Sequence, residues 1–497
     1  MSNRISQEEL NSHLWGSAVF LRTHVDAGSY KQYIFPLLFF KRMSDVYDEE
    51  CSQILADYDG ELEALDFPEN HRFQIPKGHH WKDVRSVSEN VGIAIINAFR
   101  AIEKANSDKL TGVFGEGSWT NKNRLPDELL KNLIEHFSSI VLSIENCPED
   151  ELGQGYEYII KKFADDSGHT AQEFYTNRTV VHLMTEILKP QPGESIYDPT
   201  CGSAGMLISS IAHLQRNGKE WRNVKLYGQE FNSLTAAIAK MNLFLHGVKD
   251  FQIANGDTLI HPAFIDNNQL KKYDVVLANP PYSISQWDRK AFENDKYGRN
   301  FLGTPPQGRA DYAFFQHIIK SMNEENGRCA ILFPHGVLFR EEEDALREKL
   351  IMMDCVECVI GLGPNLFFNS TMEACIIVCR MNKMPQHRGR ILLINAIDEV
   401  KRKNAQSWLE EEHIQKIACA YNKYDDIEGF SKVISIDDVR ENNYRLTISH
   451  FVYNSTLVKV ENKLSVAESV GKWINSRKDT KSALHELDKM LKEYGAQ

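Results

Sequence analysis

Asn279-Pro280-Pro281-Tyr282 groups residue types that one chemistry needs together. The Asn279 side-chain oxygen and the Pro280 carbonyl are acceptors, able to take two hydrogen bonds from one NH2 group. Pro281 stiffens the turn and brings no N–H of its own. Tyr282 offers a flat face on which an extruded base can stack. Methyl transfer onto a planar, poorly nucleophilic exocyclic nitrogen has these requirements. A lone tetrapeptide of this kind is equally a proline-rich surface turn, so its surroundings decide. It follows the apolar run 273–278, which reads as a buried strand ending at a tight turn.

Upstream, Asp198-Pro199-Thr200-Cys201-Gly202-Ser203-Ala204-Gly205 follows another apolar run and opens a helical one. Its glycines allow a tight turn and close approach to a ligand. It is neither the dinucleotide fingerprint nor a P-loop, since G-x-G-x-x-G and a following Gly-Lys-Ser/Thr are both absent. An acidic strand end before a glycine loop suits a ligand with a cationic, amino-acid-like end, and S-adenosyl-L-methionine (SAM) is such a ligand. Glu230, ending the next strand, can accept both ribose hydroxyls. Asp257-Thr258 end a third strand, where Asp257 can accept from an adenine amino group. Each residue alone is more simply a solvated loop residue; four polar strand ends in this order make the signal.

These loops need a sheet to hold them. Short β-rich runs at 195–197, 225–227, 251–254, 274–277, 329–333, 356–360, 374–379 and 391–394 alternate with helical stretches. This predicts an α/β fold, a doubly wound, mostly parallel sheet, with ligands at the carboxyl ends of the strands. Residues 1–150 read as an N-terminal helical domain. Leu10, Leu14, Ala18 and Leu21 form one stripe, and Val91, Ile95, Phe99 and Ile102 another. The catalytic domain is expected over 151–430 and a helical C-terminal tail over 431–497. In the tail, Val460, Leu464 and Val470 mark one candidate helix and Leu484, Leu487 and Leu491 a second, suited to docking on another chain or to closing over their own domain.

Composition bounds the function. The 497 residues are 42% hydrophobic and 25% charged, the balance of an ordinary soluble protein. No apolar run is long enough to span a bilayer and no signal-peptide pattern opens the chain, so a cytoplasmic location without membrane contact is expected. The net charge of −12 is awkward for a protein gripping DNA alone, because Lys and Arg supply much of that affinity. A local basic face or a partner must provide the grip.

The order of cofactor loop, then Asn-Pro-Pro-Tyr, resembles the amino-group DNA methyltransferases of the N6-adenine class. Gln172-Glu173-Phe174-Tyr175-Thr176-Asn177-Arg178 resembles the segment that begins the catalytic domain in modification subunits of type I restriction–modification systems. The stretches 30–42, 308–317 and 327–339 are also similar to segments of that subunit. The resemblance spans about 10–455. It implies a SAM site lined by Gln172, Glu173, Phe174, Tyr175, Thr176, Asn177, Asp198, Thr200, Gly202, Ser203, Ala204, Gly205, Glu230, Asp257 and Thr258. Asp198 goes to the methionine end and Asp257 to the adenine. It assigns methyl transfer to Asn279, Pro280, Pro281 and Tyr282, with Phe367 or Phe368 as a second face for the flipped base or as plain core.

The family usually has proline where this chain has Asn177, and losing the fixed φ is expected to loosen the loop over the cofactor. The resemblance further implies double-stranded DNA as substrate and a specificity subunit that reads the sequence for two modification subunits. It also implies a translocating restriction subunit. A methyltransferase for protein glutamine or RNA, and a non-catalytic SAM-binding scaffold, are the alternatives. No metal is expected: Cys355 and Cys358, like Cys375 and Cys379, lie in apolar β runs. Residues three apart on a strand point to opposite faces.

Overall fold

The computed structural model describes residues 4–107, 109–166, 176–282, 284–366, 373–403, 406–453, 473 and 480. Nine strands among them form one sheet. In chain order these are β1 (Ser195–Asp198), β2 (Lys225–Glu230), β3 (Phe251–Asn255), β4 (Val275–Ala278) and β5 (Arg328–Pro334). Then come β6 (Val356–Leu362), β7 (Ala374–Arg380), β8 (Arg390–Ala396) and β9 (Ser431–Ser435). Their spatial order is β9-β8-β6-β7-β5-β4-β1-β2-β3. β7 runs antiparallel to β5 and β6, and β9 antiparallel to β8; the remaining pairs are parallel.

The eight expected strands are all present. The central ones are short, apolar and covered on both faces, as buried strands of a mostly parallel sheet are, while β3 at the edge is partly exposed. Alternation sorts the side chains: Ile196, Val275 and Leu277 join one core layer, while Tyr197, Val276 and Ala278 join the other. Helices Arg178–Leu188 and Gly205–Arg216 cover the first face, and Asp311–Ser321 and Asp344–Met352 the second.

The N-terminal helices Gln7–Leu21, Lys31–Asp57, Val91–Ala105 and Asp127–Ser138 share a separate core. Leu10, Leu14, Ala18 and Leu21 are fully buried in it. The boundary expected at 150 falls just inside helix Glu149–Asp166, whose Leu152, Tyr156 and Ile159 belong to that same core. So do Ala237, Ile238, Met241 and Leu245 of helix Ser233–Leu245, which follows β2. The helical unit is therefore packed directly on an element of the sheet domain.

The tail expected to be helical from 431 begins instead as a strand. β9 pairs along β8 from Arg390↔Ser435 to Ile394↔Ser431, and short helices Ile436–Glu441 and Ile448–Phe451 follow. The apolar edge of β8 needs a partner, and that tertiary demand outweighs local propensity. The two candidate helices marked by Val460 and Leu484 lie outside the described residues.

Candidate functional site

β1 stands between β2 and β4, with the chain crossing to opposite sides of it. Ligands bind at such a reversal, beyond the carboxyl ends of the strands. Asp198 ends β1, Glu230 ends β2, Asp257 follows β3 and Asn279 follows β4. The four expected polar strand ends thus share one edge of the sheet.

Asp198 is 2% exposed and accepts a hydrogen bond from the Thr200 N–H at 3.0 Å. No ion pair reaches it among the described residues. Burial, reinforced by the nearby Glu230 carboxylate and eased by the Thr200 N–H, pushes its carboxyl up to about 8. Glu230 ties the loop to β2, its two oxygens accepting from the Gly202 N–H at 3.0 Å and the Asn232 N–H at 2.8 Å. Gly202 and Ala204 lie at φ 52° and 65°, the left-handed region that turns the chain sharply into helix Gly205–Arg216. The Thr258 hydroxyl donates to the Pro199 carbonyl at 2.6 Å, so it joins the β3 loop to the glycine loop. Asp257 Oδ1 accepts from the N–H groups of Leu259 and Ile260 and holds that loop's turn.

At the end of β4, Asn279 Nδ2 donates to Thr176 Oγ1 at 3.0 Å. Asn279 Oδ1 is buried and has no hydrogen-bond partner among the described residues. Pro280 is buried, Pro281 exposed and Tyr282 half-buried. The Tyr282 hydroxyl is buried, and burial raises the phenol far above its ordinary value, so the ring stays neutral. The sequence segments meet here: Thr176, from the stretch resembling the start of the catalytic domain, touches the tetrapeptide 103 residues downstream. Gln172, Glu173, Phe174, Tyr175, Phe367 and Phe368 lie outside the described residues.

Comparison with known proteins agrees with this geometry. The family described as N-6 DNA Methylase matches residues 148–459, and the HsdM N-terminal domain matches residues 10–137. The chain belongs to the N-6 DNA methylase family. Its relatives there are type I modification subunits. The type I restriction enzyme MjaVIII methylase subunit of Methanocaldococcus jannaschii is 32% identical over 473 residues, 90% of this chain and 78% of that protein. The HindI methylase subunit of Haemophilus influenzae is 32% identical over 374 residues, 72% of this chain and 82% of that protein. A crystal structure of a type I restriction–modification methyltransferase subunit from Streptococcus thermophilus superimposes with TM-score 0.76 at 27% identity, covering 90% of this chain and all of that one.

With the family fixed, the unexpected members of the site take on meaning. Asn177 has φ −54°, a value proline itself adopts. Its carboxamide is engaged with protein at both ends. Arg178 lies over the glycine loop: a Cβ on Gly205 would fall 1.4 Å from its Nη1. The same guanidinium pairs with Glu157 of helix Glu149–Asp166 at 2.9 Å, linking the helical unit to the cofactor loop. Asn242 donates to the Ser203 carbonyl at 2.8 Å and pins that loop from behind. Gln229, fully buried, donates to the carbonyls of Gly256 and His261.

Arg299, 2% exposed, donates to the carbonyls of Thr258 and Leu259 while paired with the buried Asp295 at 2.7 Å. Phe231, next to Glu230, is 75% exposed at the sheet edge, an aromatic face available to a planar ligand. Of these, only Phe231 had a local sequence signal, an apolar aromatic directly after an acidic strand end.

The sheet divides Cys355 from Cys358 but leaves Cys375 and Cys379 on one side. Cys355, Cys375 and Cys379 lie in one core layer and Cys358 in the other, so the four thiols do not converge. All four are buried, in keeping with small core hydrophobes.

Proposed function

We propose that this chain transfers a methyl group from SAM to N6 of adenine in double-stranded DNA, and that a separate specificity subunit chooses the site. The observation that carries this reading is the buried Asn279 Oδ1, without a hydrogen-bond partner among the described residues, on an amide whose Nδ2 is held by Thr176. Buried polar atoms without partners are rare and call for an explanation. An incoming amino group supplies one.

The residues present fit SAM. Asp198 is a buried acid suited to the ammonium of the methionine end, Glu230 to ribose hydroxyls, and Asp257 with Phe231 to adenine. Bound there, the cofactor supplies an activated sulfonium methyl. The chain's own residues provide alignment and electrostatics. Hydrogen bonds from the adenine N6 amino group to Asn279 Oδ1 and the Pro280 carbonyl favour a pyramidal nitrogen and localise its lone pair. The methylated nitrogen is acidic and gives its proton to water, so no strong base is needed. The base must leave the duplex to reach this edge, and stacking on Tyr282 offsets part of that cost.

The net charge of −12 favours a partner that grips DNA. The relatives' names place them in type I restriction enzymes, and for this chain we propose a complex of two such subunits with one specificity subunit, joined by a translocating restriction subunit. No described helix is long and apolar enough to cross a membrane, which accords with a cytoplasmic role.

Asn279→Ala tests the reading. SAM affinity by calorimetric titration should be kept within about threefold, while methyl transfer to DNA by the complex falls about 10²–10³-fold, the scale of losing one preorganised hydrogen bond at a reacting centre. Undiminished transfer by this variant would sink the assignment.

A further inference from the structure

We infer that Asn177 is a positioning residue for methyl transfer: its carboxamide anchors the chain beside Thr176 and so keeps Thr176 Oγ1 on Asn279. This rests on the role given to Asn279 above.

The Asn177 side chain makes four hydrogen bonds. Oδ1 accepts from the N–H of Thr179 at 3.0 Å and from its hydroxyl at 2.8 Å, capping helix Arg178–Leu188. Nδ2 donates to the carbonyl of Leu366 at 3.1 Å and to that of Ser407 at 3.0 Å. Those partners lie 189 and 230 residues away, so the bonds are a tertiary clamp and not a local turn. Thr179 doubles it, its hydroxyl oxygen accepting from the Leu409 N–H at 3.0 Å. An amide with both donors and its acceptor engaged has little capacity left for a ligand. Its contribution to the site is therefore mechanical.

That contribution passes through one residue. Thr176 is the immediate neighbour of Asn177, and Thr176 Oγ1 receives the Asn279 Nδ2 proton at 3.0 Å. That bond restrains rotation of the Asn279 amide and so the placement of Oδ1. Displacement of Thr176 by an ångström would free the amide, and misplacement on that scale costs a reacting centre heavily. Proline at 177 would reproduce the φ of −54° but none of the four bonds.

The test is a double-substitution cycle on the complete complex, with SAM and DNA as probes. Asn177→Ser keeps a cap for the helix but cannot reach both carbonyls. Thr176→Val removes the hydroxyl that holds Asn279. Each should lower kcat about tenfold, with KM for SAM changed less than about threefold. Because both act through one contact, the double variant should be no slower than the worse single. Additive losses, or a fall in SAM affinity that parallels the fall in kcat, would mean a structural role only and overturn the inference.

Asn177→Pro gives a second reading that does not depend on the serine variant folding. It should be as slow as Asn177→Ser, and full activity would also overturn the inference. Asn279→Ala keeps the two questions apart. If it abolishes transfer, the function assigned to Asn279 stands whatever Asn177 does; if it transfers normally, that assignment fails first.

Discussion

Asp198 and Glu357 are carboxylates on strands of the same sheet, 2% and 3% exposed, with opposite fates. Glu357, on β6, brings its own partners. Arg380 pairs with it at 3.0 Å, the Tyr421 hydroxyl donates at 2.6 Å, and His387 lies at 3.3 Å. Burial pushes Glu357 up, but these three outweigh it and hold the carboxyl below its ordinary value. Asp198 has a single backbone donor and rises to about 8. The Glu357 carboxylate is neutralised by the fold; Asp198, in the role proposed for it, takes its partner from outside. Burial alone does not distinguish them. Glu343 is fully buried and pushed up by burial to about 7, yet it has Arg340 beside it at 3.5 Å. Position at the sheet edge, beside a glycine loop, is what sets Asp198 apart.

The largest effect expected from this contrast is on stability. Glu357→Gln leaves the Arg380 guanidinium without its carboxylate and should cost about 3 kcal/mol. That is the lower end for breaking a buried pair, because Arg380 is a quarter exposed. Urea denaturation measures the loss, and SAM affinity should stay within about twofold. Asp198→Asn should do the reverse. The ligand-free protein keeps its stability, since Asn mimics the protonated acid already favoured there. SAM affinity should drop about 10- to 100-fold, the worth of a hydrogen bond to a charged group. Equal destabilisation by both substitutions would erase the distinction.

The pH dependence sharpens it further. Folded Asp198 holds its proton up to about pH 8, whereas an unfolded aspartate releases it near 4. Between those values the folded state binds more protons, so this group's contribution to ligand-free stability is present at low pH and lost as pH rises toward 8. The slope is at most about 1.4 kcal/mol per pH unit. Glu357 contributes the other way: its stabilisation is present above the unfolded glutamate value and lost as pH falls through the lower folded value. An ammonium ligand prefers ionised Asp198, so SAM binding should expel a proton. Its affinity should then climb up to tenfold per unit from pH 6 to 7.5, below the range where an α-amino group titrates. A flat profile in the wild type, or an unchanged one in Asp198→Asn, would refute the assignment.

The same contrast explains what the sequence could tell. Strands such as Val275–Ala278 are continuous apolar runs, legible because both faces are covered. The strand at Ser431–Ser435 was missed, because its identity comes from the β8 edge beside it and not from Ser431-Lys432-Val433. In the site, Asp198, Glu230 and Asn279 were legible because each ends a run of recognisable type. Thr176 was placed only by resemblance, and its contact with Asn279 spans 103 residues. Arg299, Asn242 and the partners of Asn177 had no signal, since a polar residue in a loop or helix does not announce a bond formed at long range. Those are the supports that hold the readable residues in place.

The smallest expected effect probes how redundant the Glu357 cluster is. Tyr421→Phe removes one hydroxyl, leaving Arg380 and His387 on the carboxylate. A hydrogen bond to a buried acid that retains other partners is worth about 1 kcal/mol, so the melting temperature should fall only slightly while methyl transfer is unaffected. The same logic would not apply at Asp198, where among the described residues Thr200 alone donates. If Tyr421→Phe instead costs as much as Glu357→Gln, the cluster is one cooperative network and not a set of replaceable partners. Glu357 would then be as dependent on each neighbour as Asp198 is on its ligand.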